Sequence, residues 1–311
     1  MLMSRMADLK NDLPLVAMPA MLIVVELLAL FLSQPLQDAG VSALPYSPDN
    51  PLNVVVFLAM LLVFTLFILV LIRYGVKFLL SAIIALSLFF TFYYIFASLA
   101  LASLGETALA GLATIVLSVG ATVVLYRFPE WYIIDTLGIL LCAGVASIFG
   151  IAVGILPAIA LLVLLAVYDA ISVYRTKHMI TLAEGVLSLK APILFVIPKR
   201  RDYSFIKEGI ALKGEDGEAK ERGAFVIGMG DMIMPTILVV SANVFARGQG
   251  WASPVPAIGA MAGSLVGLAI LLSFVKQGKP QAGLPPLNAG TITGFLIGCA
   301  LAGAWAWVPS V

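Results

Sequence analysis

Two aspartates stand inside long apolar stretches of this chain, one in Val167-Tyr168-Asp169-Ala170 and the other closing Gly228-Met229-Gly230-Asp231. Holding a charged side chain at the centre of a bilayer costs about 2.5–3.5 kcal/mol on insertion scales, so an acid kept there is by default functional. Two such acids at similar depth on neighbouring helices suggest a site that handles protons.

Their neighbours add to that reading. Gly228 precedes Asp231 by three positions, which would put it on the same helical face and let another backbone come close to the carboxylate. Gly230 adds backbone freedom. Pro235, four residues after Asp231, cannot donate to the Asp231 carbonyl and leaves it open to water or substrate. Glycine and proline are also simply common in membrane helices. Tyr168 would either donate a hydrogen bond near the site or pack between helices. A third constellation, Leu284-Pro285-Pro286-Leu287-Asn288, reads two ways. Successive prolines favour extended backbone, which would flank the acids; alternatively they occupy the first turn of a helix.

The elements that must position these residues follow from composition. The chain has 311 residues, of which 62% are hydrophobic and 11% charged, and its mean hydropathy is +1.09. That composition describes an all-α polytopic membrane protein, not a soluble globular one. Runs of about 20 apolar residues give nine candidate spans, near 14–33, 52–72, 78–100, 107–126, 132–151, 154–174, 223–244, 255–274 and 289–308. A single helix from Tyr132 to Tyr174 would be about 64 Å long, so a turn is required near Gly150–Pro157. The first run is too long for a signal-peptide core and is read as a span.

Charge tests the count. Of the 18 Lys and Arg, all but Arg247 fall in the N-terminus and the even-numbered loops, which makes the N-terminus cytoplasmic and the C-terminus extracytoplasmic. Segment 179–198 carries Glu184, Lys190 and Pro192 and reads as an interfacial amphipathic helix. Lys213 to Gly223 reads as a solvated stretch. The expected organisation is 1–174 with the first acid, a cytoplasmic loop 175–222, and 223–311 with the second acid. Asp169 then lies about 9 Å from the cytoplasmic end of the sixth helix and Asp231 about 14 Å into the seventh from the same side. Asp135 is explained as an interfacial acid favoured at a helix N-terminus. Glu26 lies mid-span in the first helix, where lining a cavity is one reading.

Several chemistries are excluded. The single histidine, His178, lies in the sixth loop, so no HExxH zinc site and no membrane-embedded Ser–His dyad can form. Cys142 and Cys299 support neither a disulfide framework nor a metal site. A net charge of +1 gives no reason to expect nucleic acid.

Taken together, Tyr168-Asp169, Gly228-x-Gly230-Asp231 and Pro285-Pro286-Leu287, in that order on nine spans, resemble the YD, GxGD and PAL motifs of the presenilin/signal peptide peptidase family. The stretch from Tyr168 to Pro198 is also presenilin-like. Pro286 departs from the family's alanine. The charge-derived orientation matches presenilin rather than the inverted signal peptide peptidases. The resemblance implies an intramembrane aspartyl protease with Asp169 and Asp231 as catalytic pair, catalytic water and no cofactor. Single-span or signal-peptide-like membrane proteins would be its substrates in the lipid bilayer. An extended Pro285–Leu287 segment would pair with the unwound substrate by edge addition. A proton- or cation-coupled transporter would also set two acids on neighbouring helices, but no repeat halves are evident. A prepilin-peptidase-like enzyme shares GxGD without accounting for the other motifs, and a catalytically silent scaffold is the remaining non-enzyme reading.

Overall fold

A computed structural model describes residues 2–176, 194–198, 203–208, 224–246, 253–275 and 281–308. Among these, the chain is built from α1 (Leu2–Asp38), α2 (Leu52–Arg73), α3 (Lys77–Leu104), α4 (Ala108–Arg127), α5 (Trp131–Ala152) and α6 (Ile155–Ile171), then α7 (Met229–Phe245), α8 (Val255–Val275) and α9 (Leu284–Ala302). Eight are long and apolar enough to cross a membrane, and α7, with 17 residues, is the shorter exception. The expected turn between the fifth and sixth spans falls at Val153 and Gly154, where both residues are extended.

Burial sorts the helices into inner and outer. Half of the apolar window in α5 and in α8 is buried, against 11% in α2. Aromatic and branched residues such as Phe64, Phe67 and Leu112 are exposed on α2 and α4, as expected for surfaces facing lipid. α1, α5, α7 and α9 contribute Leu22, Val25, Leu141, Met232 and Leu287 to one buried cluster. A second cluster joins α6, α7, α8 and α9 through Leu162, Leu238, Ala260 and Phe295.

Lipid gives no hydrophobic drive for helices to associate, so close approach and polar ties must do it. Both are present. Gly259, Gly263 and Gly267 on α8 face Gly298, Gly294, Gly290 and Pro286 of the antiparallel α9. A Cβ on Gly263 would overlap the Gly290 carbonyl and stand 3.0 Å from Gly294 Cα. Single hydroxyls or amides tie other pairs. Ser147 Oγ donates to the Ala29 carbonyl at 2.7 Å, Ser241 Oγ to Val153 at 2.8 Å, and Asn288 Nδ2 to Leu162 at 2.9 Å.

The described part of the sixth loop differs from expectation. Leu194–Pro198 is a strand, β1, not the end of an amphipathic helix, and it pairs antiparallel with β2, Ala224–Gly228. The register runs from Leu194 opposite Gly228 to Pro198 opposite Ala224. Five-residue apolar runs bounded by Pro or Gly form strands readily when a partner is at hand. Residues 179–193, His178, Lys213 to Gly223 and Arg247 lie outside the described residues. A one-turn helix, Phe205–Glu208, follows β1, and Glu130 at the start of α5 accepts from Ser204 Oγ at 2.7 Å and the Phe205 N–H at 3.1 Å. The fourth and sixth loops therefore meet on one face. At the other, the Gly154 N–H donates to the Pro48 carbonyl at 2.8 Å.

Candidate active site

Asp169 sits two residues before the end of α6 and is 4% exposed. The helix changes character just beyond it. The Ser172 N–H reaches the carbonyls of both Tyr168 and Asp169, and a π-helical turn follows over Ser172–Thr176. Such turns are frequent at functional sites. The Asp169 carboxylate accepts the Leu284 N–H at 3.1 Å through Oδ2 and also the Gly283 N–H. These are orphan donors at the start of α9, without an intrahelical acceptor, and a carboxylate satisfies them well.

Asp231 is placed differently from the sequence expectation. The expected span 223–244 begins instead as β2, and α7 starts only at Met229. Asp231 is thus in the first helical turn, not 14 Å into a helix. Gly228 is the extended N-cap, with φ −66° and ψ 136°, so it does not share a helical face with the acid. Its N–H donates to the Asp231 carboxyl, the arrangement in which an acid at the third helical position reaches back to the cap. Pro235 lies inside α7 as expected, and its missing N–H leaves the Asp231 carbonyl without that helical partner.

The two carboxyl groups share one site, near enough for their charges to interact. Gly283 lies between them. A Cβ built on it would stand 3.0 Å from Asp231 Oδ2 and 3.1 Å from Cγ, while its N–H serves Asp169. The backbone approach to Asp231 assigned to Gly228 is thus made by Gly283. Gly230 is exposed, and a Cβ there would meet open space, so the chain next to Asp231 is uncovered.

The Pro285–Leu287 segment is helical, not extended. Gly283 is the N-cap of α9, and the prolines occupy its first turn. First-turn N–H groups have no helical acceptor, so proline costs nothing there; Pro286 in place of alanine is tolerated for the same reason. Leu287 is buried and packs in the core cluster, and the backbone of Pro286 and Leu287 lies against Gly267 of α8. The segment positions Gly283 and Leu284 from behind. Tyr168 is 48% exposed and turned away from the buried face that carries Asp169.

Two other acids fall outside the pair. Glu26 is fully buried, with the Ser264 hydroxyl donating to Oε1 at 2.6 Å and no partner for Oε2 among the described residues. It ties α1 to α8. Asp135 lies beyond the first turn of α5 and accepts the Val196 N–H at 2.9 Å, a contact that its helix-terminal reading did not anticipate. Among the described residues no group of three His, Cys, Asp or Glu could hold a metal ion.

The model of the signal-peptide peptidase and presenilin aspartyl protease family matches residues 19–304. Two crystal structures of a presenilin family intramembrane aspartate protease are similar over their whole length. One, in space group C222, is 48% identical over 93% of this chain and 100% of that chain, with a TM-score of 0.71. The other, in P2, is 49% identical over 94% and 100%, with a TM-score of 0.70. No curated protein matches the chain. With its family model spanning nearly every helix and both aspartates inside the matched range, the chain belongs to the presenilin and signal-peptide peptidase family of intramembrane aspartyl proteases.

Proposed function

We propose that Asp169 and Asp231 are the catalytic pair with which this intramembrane aspartyl protease hydrolyses peptide bonds inside single-span or signal-peptide-like membrane proteins. The observation that carries the assignment is Gly283, whose N–H holds Asp169 while its backbone lies against Asp231. Two groups that repel when both are charged are held in one place by main chain. In the reaction, the ionised carboxylate takes a proton from water as the water oxygen attacks the scissile carbonyl carbon. The protonated carboxyl donates to the carbonyl oxygen. As the tetrahedral gem-diol collapses the C–N bond breaks: the carboxyl that took water's proton gives it to the leaving nitrogen, and the other carboxylate takes a proton back from a diol hydroxyl. Catalytic water suffices, without a cofactor.

A substrate helix must unwind first, because its amides are otherwise engaged within the helix. Since Pro285–Leu287 is helical, edge addition is assigned to β2, which runs directly into Gly228 and Asp231 and carries no further strand on its outer edge among the described residues. Gly228 and Gly230 keep the approach to Asp231 slim, and Pro285, Pro286 and Leu287 shape its rear wall, whereas Tyr168 faces away and takes no part in it.

The orientation proposed is N-terminus cytoplasmic and C-terminus extracytoplasmic, supported by the division of basic residues. Residues 1–174 and 223–311 each supply one acid, and 175–222 form the cytoplasmic loop between them. The test is cleavage of a single-span substrate by the purified protein, with products read by mass spectrometry. Asp169→Ala and Asp231→Ala should each abolish cleavage while the protein stays folded, and the double variant should be no worse. Substantial turnover by either single variant would overturn the assignment.

A further inference from the structure

The two-stranded sheet beside the site has two edges, and among the described residues no further strand pairs with the outer edge of β2. Val196 stands opposite Val226 at the centre of the ladder. Its N–H, however, is turned to Asp135 Oδ1 on α5 at 2.9 Å. In an antiparallel pair, successive residues alternate between bonding the partner strand and pointing away. Val196 therefore bonds away from β2, and Asp135 takes up the donor at the centre of the β1 edge. Phe195, Val196 and Ile197 are all buried around this contact. Five residues before Asp135, Glu130 accepts from Ser204 and Phe205, so α5 grips the segment after β1 at a second point.

An uncovered strand edge is a template for any extended chain, and an isolated pair of five-residue strands is marginal in water. A carboxylate on the outer edge addresses both. It saturates the donor that a wrongly placed strand would use, and it fastens β1 to a helix of the core. Resting on the reading that an unwound substrate strand adds to β2, we propose that Asp135 is a positioning residue for that strand. It closes the β1 edge and holds the ladder in place, so the substrate meets β2 in one register relative to Asp231. Asp135 does not touch the reacting atoms.

The experiment compares wild type, Asp135→Ala, Asp135→Asn and Val196→Pro on one single-span substrate, recording KM, kcat and the masses of all products. Asparagine keeps an oxygen acceptor. Proline removes the Val196 N–H from the other side, at an edge position where the ladder does not need it. Asp135→Ala and Val196→Pro should each raise KM by about threefold to tenfold, the size of one lost ordinary hydrogen bond. Both should also spread cleavage over neighbouring peptide bonds, whereas Asp135→Asn should keep the wild-type product set. A purely structural contact would instead lower the amount of active enzyme, leaving KM and the product masses unchanged. That result for either disruptive variant would overturn the inference, as would a spread product set for Asp135→Asn. If Asp135→Ala does not fold, Val196→Pro decides alone. Failure of the protease reading is separate: it would appear as no cleavage by wild type, or as wild-type cleavage that survives Asp231→Ala.

Discussion

Gly283 has no side chain, and the site depends on that. Its φ of −79° and ψ of −44° suit any residue, so the requirement is space, not conformation. A methyl there would stand 3.0–3.3 Å from three atoms of the Asp231 carboxyl group. Gly283→Ala should therefore lower kcat by about tenfold or more, since displacements well under 1 Å already misalign reacting groups. Thermal stability should be little changed, and Gly283→Val should be worse. Purified variants assayed for cleavage and melting would check this. A second expectation concerns protons: a pair that works with one shared proton loses activity both when the second carboxyl ionises and when both are protonated, so kcat/KM should be bell-shaped in pH. At this scale the sequence was informative about the acids, because an aspartate in an apolar run carries its own cost. It was silent about Gly283, and it marked Leu284 and Asn288 only as flanks of the proline motif, because their contacts with Asp169 and Leu162 exist only once α9 lies against α6.

Among the elements, the helices were legible and their ends were not. Spans two to six and eight agree with the observed helices to within a few residues, because hydropathy over about 20 residues reports burial in lipid directly. The seventh did not, since Ala224–Gly228 is as apolar as the helix it precedes, and only pairing with Leu194–Pro198 marks it as a strand. The prolines misled in the other direction, favouring an extended reading where a first turn accommodates them. The contact of α8 with α9 yields a prediction. Gly263→Leu must push the helices apart, because the overlap is with backbone, not with a flexible side chain. The start of α9 would shift with it, and Gly283 and Leu284 would leave Asp169. Cleavage should fall by at least about 100-fold, with the protein still inserted in the membrane. Gly303→Ala, in the left-handed C-cap beyond α9, should cost stability of about 1 kcal/mol with kcat unchanged.

For the molecule as a whole, stability comes from inner helices tied by a few polar contacts, and Glu26 with Ser264 is the most exacting. Removing one partner leaves the other buried and unsatisfied, at about 1–3 kcal/mol, whereas replacing both by apolar groups is close to neutral. Ser264→Ala should thus lower the melting temperature more than the double variant Glu26→Met/Ser264→Ala. The sequence announced Glu26 as costly but gave no partner, because Ser264 lies 238 positions away. Orientation is testable on the intact molecule. Both native cysteines are buried, so a cysteine introduced at Gly217 should react with an impermeant reagent only after the membrane is opened. Labelling from outside intact cells would invert the proposed topology.

The five residues of β2 also set a yardstick for what can be cut. At about 3.4 Å per residue the strand offers some 17 Å of main chain, and only alternate residues turn their N–H and C=O toward the open edge. A substrate would then be read by the rhythm of its amides more than by its side chains. A proline walked along the substrate, one position at a time beside the cleavage point, should block hydrolysis at every second position and be tolerated between. The tolerance should become uniform again once the proline passes beyond the fifth residue.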